Sequence, residues 1–275
     1  MNKTGTWEWA NWVINIQRGC EHDCRYCYAR YDAVHRFHYC TLEQWRQPEI
    51  ITKRVERTFS RRNGITMFPS SHDITPHNIE PCMEVLHKLL AAGNRVLIVS
   101  KPHWPCVTRM CEEFKEFRDQ ILFRFTIGST YDKVLEFWEP GAPNFAERIS
   151  ALQYAFHAGY QTSVSCEPYL DAYICQLVEA VTDWVTETIW IGRMNKVKQR
   201  VDLAGVTDDQ MRQFVVPMLV ASGHMFVIMI VELLKDHPQI RWKDSIRAVI
   251  ASEKLKVTKV WLTPATVQRG DAGQN

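Results

Sequence analysis

Cys20, Cys24 and Cys27 stand in the run Gly19-Cys-Glu-His-Asp-Cys-Arg-Tyr-Cys-Tyr28, spaced C-x3-C-x2-C with an aromatic residue on each side of the last cysteine. Three thiolates within eight residues suit three irons of a [4Fe–4S] cluster, and no fourth cysteine lies close enough in sequence to cap the remaining iron. That iron stays open for a ligand, the property that separates catalytic metal sites from closed structural ones. Zinc is the alternative. It usually draws on two C-x2-C or Cys/His pairs across a longer spacer, whereas this chain offers one triplet with His22 inside it.

These residues resemble the cluster motif of the radical S-adenosylmethionine (SAM) superfamily, in which an aromatic, here Tyr26, precedes the last cysteine. The neighbouring words are similar to those of its spore photoproduct lyase-like, "DNA repair photolyase" branch. They are Arg18-Gly-Cys-Glu-His-Asp-Cys-Arg-Tyr-Cys-Tyr-Ala-Arg30, Ser100-Lys-Pro102 and Trp138-Glu-Pro-Gly-Ala-Pro143, followed by Arg148 and Ala158-Gly159. The likeness runs from about Trp12 to Asn195.

Such a site needs a scaffold, and short β-branched runs alternate with amphipathic segments as in βα units around a parallel sheet. The strands expected are Trp12 to Gln17, Ile65 to Phe68, Arg95 to Ser100, Leu122 to Ile127, Gln161 to Ser165 and Thr188 to Gly192. Helical patterns cover Leu42 to Phe59, Asn78 to Ala92, Val107 to Phe117, Phe145 to His157 and Tyr169 to Val185. Six such units are too few for a closed barrel, and the resemblance implies an α/β fold of the partial (β/α)6 barrel type. We expect a core over residues 1–200 and a helical extension over 201–275 packed on it. In these sheets ligands gather at the C-terminal strand ends.

The resemblance implies two cofactors, a [4Fe–4S] cluster on Cys20, Cys24 and Cys27 and SAM chelating its open iron. One-electron reduction would then yield a 5′-deoxyadenosyl radical that takes hydrogen from a substrate. It also implies an external electron donor of flavodoxin or ferredoxin type. For SAM it assigns Lys101 to the carboxylate and Ser129 to the ribose, while Tyr26 offers a flat apolar face for the adenine, with core packing as its alternative. Ser71 and Asp73 stand where relatives bind the amino group, and Glu167 is placed for a ribose hydroxyl or the substrate. His72, His103 and Arg193 are candidate substrate contacts, and Cys166 could approach the reaction centre from a strand end. Spore photoproduct lyases carry a hydrogen-donating cysteine after the second strand, where this chain has Ser70. A hydroxyl O–H is too strong to give its hydrogen atom readily to a carbon radical, which argues against the lyase reaction as such. An iron–sulfur electron carrier or sensor without SAM chemistry is the rival reading.

Composition is ordinary for a globular protein: 46% hydrophobic, 23% charged, net charge +2 over 275 residues. Basic groups such as Lys53-Arg54, Arg57, Arg61-Arg62, Lys196, Lys198 and Arg200 are interspersed with acids, so charge alone does not call for a nucleic-acid partner. Nine cysteines at irregular spacing and a start without signal-peptide character suit a reducing, cytoplasmic setting. Phe214 to Val231 has no Asp, Glu, Lys or Arg, but Pro217 and Ser222-Gly223-His224 divide it, so two buried elements rather than a membrane span are expected.

Overall fold

The computed structural model describes residues 4–262. Its strands are β1 (Trp12–Val13), β2 (Gln17–Arg18), β3 (Glu49–Ile50), β4 (Ile65–Phe68), β5 (Arg95–Ser100), β6 (Ile121–Thr126), β7 (Gln161–Cys166), β8 (Ile189–Ile191) and β9 (Ile240–Trp242). Seven form one sheet in the order β1-β4-β5-β6-β7-β8-β9, with every neighbouring pair parallel. The α/β partial barrel anticipated from the motif order is therefore present. The C-terminal segment adds to it: besides helices it supplies β9, pairing Ile189 with Ile240 and Ile191 with Trp242.

β5, Arg-Val-Leu-Ile-Val-Ser, is buried along almost its whole length, as expected where a parallel sheet is covered on both faces. On the outer face Ile98, Phe123, Phe125 and Val164 pack against the helices Ile79–Ala91, Trp104–Glu113, Phe145–His157 and Ile174–Thr182 in one continuous core. The inner face is filled differently. Trp9, Met67, Leu97 and Leu122 form a small inner cluster, and the Arg124 guanidinium lies 4.9 Å from the centre of the Trp9 ring and 5.5 Å from that of Trp190. These stacked cations and indoles close the interior below the strand ends.

Two expected elements divide. The run Trp12 to Gln17 yields β1 and then β2, which leaves the main sheet and pairs antiparallel with β3, Gln17 opposite Ile50. The helix expected over Leu42 to Phe59 breaks into Leu42–Arg46 and Thr52–Val55 on either side of β3. Pro48 explains the break, since its ring drives the preceding residue out of the helical region, and Gln47 adopts φ −109°, ψ 82°.

Among the described residues no single helix is long and apolar enough to cross a membrane. Asp208–Ala221 and His224–Leu234 pass that test only as a pair bent by 65°, with the break at Ser222-Gly223.

Candidate active site

The C-terminal strand ends surround a cavity of about 730 Å³. Cys20, Cys24 and Cys27 line one wall, and Glu167, Arg193 and Lys243 lie among the residues lining the rest.

The cysteine loop is held by contacts from three directions. Gly19 has φ +82°, and a Cβ there would come within 2.5 Å of the Trp45 carbonyl, so the chain needs glycine to start the loop. The Cys20 N–H then donates to that carbonyl at 3.0 Å. Arg30, almost wholly buried, donates to Asp23 at 3.0 Å and to the Arg25 carbonyl at 2.8 Å, bracing the loop from inside. From the far side comes the loop Trp138 to Pro143. The Arg25 N–H donates to the Trp138 carbonyl at 2.9 Å and the Gly141 N–H to the His22 carbonyl at 3.1 Å. A Cβ on Gly141 would sit 2.2 Å from the Glu21 carbonyl oxygen, which explains the glycine in that loop.

Burial pushes the Cys20 thiol up to about 12 and raises those of Cys24 and Cys27 as well. Thiols with raised pKa values gain most from a cationic centre that stabilises them as thiolates. The tightest group of cysteine, histidine and carboxylate donors among the described residues is Cys20–His22–Asp73, within 4.8 Å, and it takes only one of the three cysteines. A single zinc ion bonds sulfur at about 2.3 Å and needs its ligand atoms that close together. The all-sulfur donor set spread along one cavity wall fits an iron–sulfur cluster better.

Asp73 is the hub beside this wall. Its carboxylate accepts from Ser100 Oγ at 2.6 Å and the Lys101 N–H at 2.7 Å, faces His22 Nδ1 at 3.0 Å and lies 3.6 Å from Lys101 Nζ. Burial alone would raise its pKa, but the neighbouring His22 and Lys101 and these hydrogen bonds carry it well below the usual carboxylate range. His22 Nε2 continues the chain to His103 Nε2 at 2.9 Å. Lys101 also lies 4.0 Å from Glu139 and 6.0 Å from the centre of the Tyr26 ring. Both its carboxylate contacts are longer than hydrogen bonds, so its ammonium donors are not committed to them. Burial opposes its charge, yet Cys24, Tyr26, Glu139 and Asp73 together hold its pKa well above the ordinary lysine value.

The remaining expected residues divide. Tyr26 lines the cavity, but its hydroxyl donates to Glu139, which is fully buried and paired with Arg148 at 2.6 Å, so the ring is fixed by its polar end. Ser71 lines the cavity too, its N–H donating to Asn15 Oδ1 at 2.9 Å. Asn15 clasps the Ser70 N–H at 2.8 Å with the same oxygen and so sets the whole turn. Ser70 faces the cavity, and its carbonyl accepts from the Tyr28 hydroxyl at 2.6 Å. Glu167 lines the opposite side, 3.2 Å from Lys243 Nζ; burial raises its carboxyl to about 6 against the pull of Lys243.

Ser129 is not brought to the cavity. Its hydroxyl donates to Asp171 and accepts from the Tyr131 N–H at 2.9 Å, with no exposed surface. Cys166 likewise packs into the outer core, because the alternation along β7 turns it away from Ser165 and the interior. His72 lines the cavity as a neutral brace, its Nε2 accepting from the Ile16 N–H at 3.2 Å and burial lowering its pKa to about 4. His103 reaches the site through His22 alone, while Arg193 faces the cavity and donates to the Ser222 carbonyl at 3.1 Å.

Sequence reasoning missed Asn15, Glu139 and Lys243. Glu139 lies inside the run Trp138-Glu-Pro-Gly-Ala-Pro143, which marks it in the sequence. Lys243, after β9, carries no such mark. It is 1% exposed, and its ammonium meets the Gly5 carbonyl at 2.9 Å, Glu8 at 3.1 Å and Glu167 at 3.2 Å, 4.1 Å from the centre of the Trp9 ring.

Comparison with known proteins agrees with this geometry. The fold is similar to that of spore photoproduct lyase: a cysteine-to-serine variant aligns with a TM-score of 0.51 at 16% identity, covering 88% of this chain and 79% of that one. A tyrosine-to-phenylalanine variant of the lyase gives 0.52 at 15%, covering 87% and 78%. In sequence the chain is 28% identical over 170 residues to the uncharacterized protein ORF301 of Acidianus two-tailed virus, a stretch that is 57% of this chain and 55% of the relative. Residues 14–169, which hold the three cysteines, Asp73, Lys101 and Glu139, match the Radical SAM superfamily, whose members use a [4Fe–4S] cluster with SAM, and the chain belongs to that superfamily.

Proposed function

We propose that this protein is a radical SAM enzyme that abstracts a hydrogen atom from its substrate. The observation that carries the reading is the placement of three cysteine thiols, those of Cys20 and Cys24 buried, and one uncommitted lysine on the same cavity at the strand ends. When bound, the cluster and SAM supply reductive cleavage of the sulfonium and the resulting 5′-deoxyadenosyl radical.

Cys20, Cys24 and Cys27 would hold the cluster. Lys101, kept charged by Asp73 and Glu139, offers its ammonium to the SAM carboxylate. Tyr26, tied by its hydroxyl to Glu139, presents a fixed ring face to the adenine. The Ser70–Asp73 turn, pinned by Asn15, is placed for the SAM amino group, and Glu167 on the far wall for a ribose hydroxyl or the substrate. Burial of this wall excludes water from a reactive radical. Ser129, committed to Asp171, is assigned no cofactor contact.

The lyase neighbours include a complex with a dinucleoside spore photoproduct. For this chain the hydroxyl of Ser70 argues against the same hydrogen return, and the substrate is proposed only as a molecule that reaches the cavity. The deciding experiment is anaerobic reconstitution with iron and sulfide, reduction with SAM present, and chromatography for 5′-deoxyadenosine. The wild type should form it and the Cys24→Ala variant should not. A variant with full activity, or zinc in material purified without oxygen, would overturn the reading.

A further inference from the structure

The stretch after β8 carries charge of one sign. From Arg193 to Arg200 the sequence Arg-Met-Asn-Lys-Val-Lys-Gln-Arg holds four Lys and Arg and no Asp or Glu. Arg193, Lys196 and Arg200 line the cavity at the strand ends, and none of them enters an ion pair among the described residues. The first acid beyond them, Asp202, faces Arg30 at 3.8 Å instead. The carboxylates on the same lining are engaged elsewhere. Asp23 pairs with Arg30 at 3.0 Å and Arg46 at 2.7 Å, Asp73 lies 3.6 Å from Lys101, and Glu167 lies 3.2 Å from Lys243. Asp244 accepts from the Ser245 N–H at 2.8 Å.

Packing fixes this stretch in place. Met194 and Val197 join Trp138, Leu170 and Val215 in one apolar cluster, so the charged side chains between and beyond them are presented from a held backbone. The Arg193 N–H donates to Ser245 Oγ at 3.2 Å and its Nη1 to the Ser222 carbonyl at 3.1 Å, while its Nε is buried without a hydrogen-bond partner. Arg200 ends the single helical turn Val197–Arg200, its N–H donating to the Lys196 carbonyl at 3.0 Å, and its Nε is likewise buried without a partner. The charge of Arg200 bears on Tyr28, whose hydroxyl donates to the Ser70 carbonyl at 2.6 Å. The stretch therefore runs from the Ser245 side of the cavity to the turn beside the cysteine loop. Buried guanidinium donors are ordinarily satisfied, and two that are not, on one cavity, mark a place for an acceptor.

Two arginines and a lysine unopposed by carboxylate suit a phosphomonoester, which brings a charge of about −1.5 to −2 at neutral pH and three strong acceptor oxygens. We propose that Arg193, Lys196 and Arg200 form a subsite for a phosphate group on the substrate, and that this substrate is a small phosphomonoester rather than a polymer. The inference rests on the radical SAM reading and deepens it, since it gives a chemical class to the molecule that yields the hydrogen. The phosphate is held and not transferred, so no bond forms or breaks at the subsite. A cavity of about 730 Å³ is of the size that takes small ligands. A nucleic-acid strand would need unopposed cations that continue past the cavity. Those beside the cysteine loop are matched instead, Arg18 with Glu49, Arg36 with Asp32 and Arg46 with Asp23.

The test uses inorganic phosphate and uridine 5′-monophosphate as probes, titrated calorimetrically into the anaerobically reconstituted protein with and without SAM. Both should bind saturably, and the monophosphate should bind at least about tenfold more tightly than uridine. Arg200→Gln and Lys196→Gln should each weaken both probes by about tenfold and leave uridine unchanged. The Lys196 side chain makes no hydrogen bond or ion pair among the described residues, so its loss tests the subsite without disturbing the fold. Lys198→Gln removes the same charge from the same stretch but off the cavity lining, and it should bind as the wild type does. Absence of saturable phosphate binding in the wild type, or equal binding by the wild type and both variants, would overturn the proposal. So would a single-stranded oligonucleotide that binds more tightly than the monophosphate and is lost in the same variants, since the occupant would then be a polymer. Failure of the wild type to form 5′-deoxyadenosine would instead count against the radical SAM reading, while the phosphate titration still decides whether this subsite exists.

Discussion

Two lysines line the cavity, and each sits among two carboxylates and an aromatic ring. Lys101, at the end of β5, lies 3.6 Å from Asp73, 4.0 Å from Glu139 and 6.0 Å from the Tyr26 ring centre. Lys243, at the end of β9, is drawn in to 3.1 Å from Glu8, 3.2 Å from Glu167 and 2.9 Å from the Gly5 carbonyl, over the Trp9 ring. An ammonium has three donors. Lys243 has an acceptor within bonding distance for each of them, whereas the carboxylates near Lys101 fix its charge without using its donors. Similar surroundings therefore produce opposite roles. The loosely held lysine keeps capacity for a ligand; the saturated one ties the N-terminal segment, β7 and the C-terminal segment into one wall.

The contrast breaks most clearly at Lys243. Lys243→Met leaves Glu167 without its ammonium partner and Glu8 with Arg247 alone, and should cost about 3 kcal/mol of stability, read as a fall in the urea midpoint. If the midpoint stays put, the far wall is not held by this ion cluster.

Lys101→Met should leave stability closer to wild type and weaken SAM binding by about 1.5–3 kcal/mol, roughly tenfold to a hundredfold, in equilibrium titrations with the reconstituted protein. Equal SAM affinity in the two proteins would remove the distinction drawn between the lysines.

Glu167 sharpens the comparison through pH. Its carboxyl is raised from 4.5 to about 6 in the folded protein, chiefly by burial. The folded state thus holds the proton more tightly than the unfolded state between those values, so stability should fall as pH rises from about 4.5 through about 6, by about 2 kcal/mol in all. Denaturation across that range should show the slope in the wild type and lose it in Glu167→Gln.

The smallest effect is expected at Ser129. Ser129→Ala removes a buried hydroxyl serving Asp171 and the Tyr131 N–H, a cost of about 1 kcal/mol in stability, with SAM affinity unchanged. A drop in SAM affinity without loss of stability would restore the ribose role expected from sequence.

The cysteine spacing announced a cluster because chelation by adjacent thiolates is local chemistry, written in eight consecutive residues. The parallel sheet was legible for the same reason: β5 is a short apolar, β-branched run whose burial follows from its composition. The partition of Leu42 to Phe59 was missed because helical periodicity outweighed a single proline, whose consequence, β3, depends on pairing Ile50 with Gln17 and Glu49 with Arg18, far earlier in the chain. The bond from the Ser129 hydroxyl to Asp171 was not legible, because position after a strand does not reveal a partner 42 residues further along the chain.

By itself, then, the sequence determined the cysteine triplet, the strands along the chain and the lysine after β5, since each rests on neighbours in the chain or on a periodic pattern. Only the tertiary structure decided which side chains share the cavity. Glu139 reaches Tyr26 because buried Arg148 pins it from another helix, and Lys243 meets Glu8 and Glu167 because the sheet brings the two ends of the chain to one wall. Burial removes water from these groups and makes each partner obligatory, and burial is a property of the whole fold.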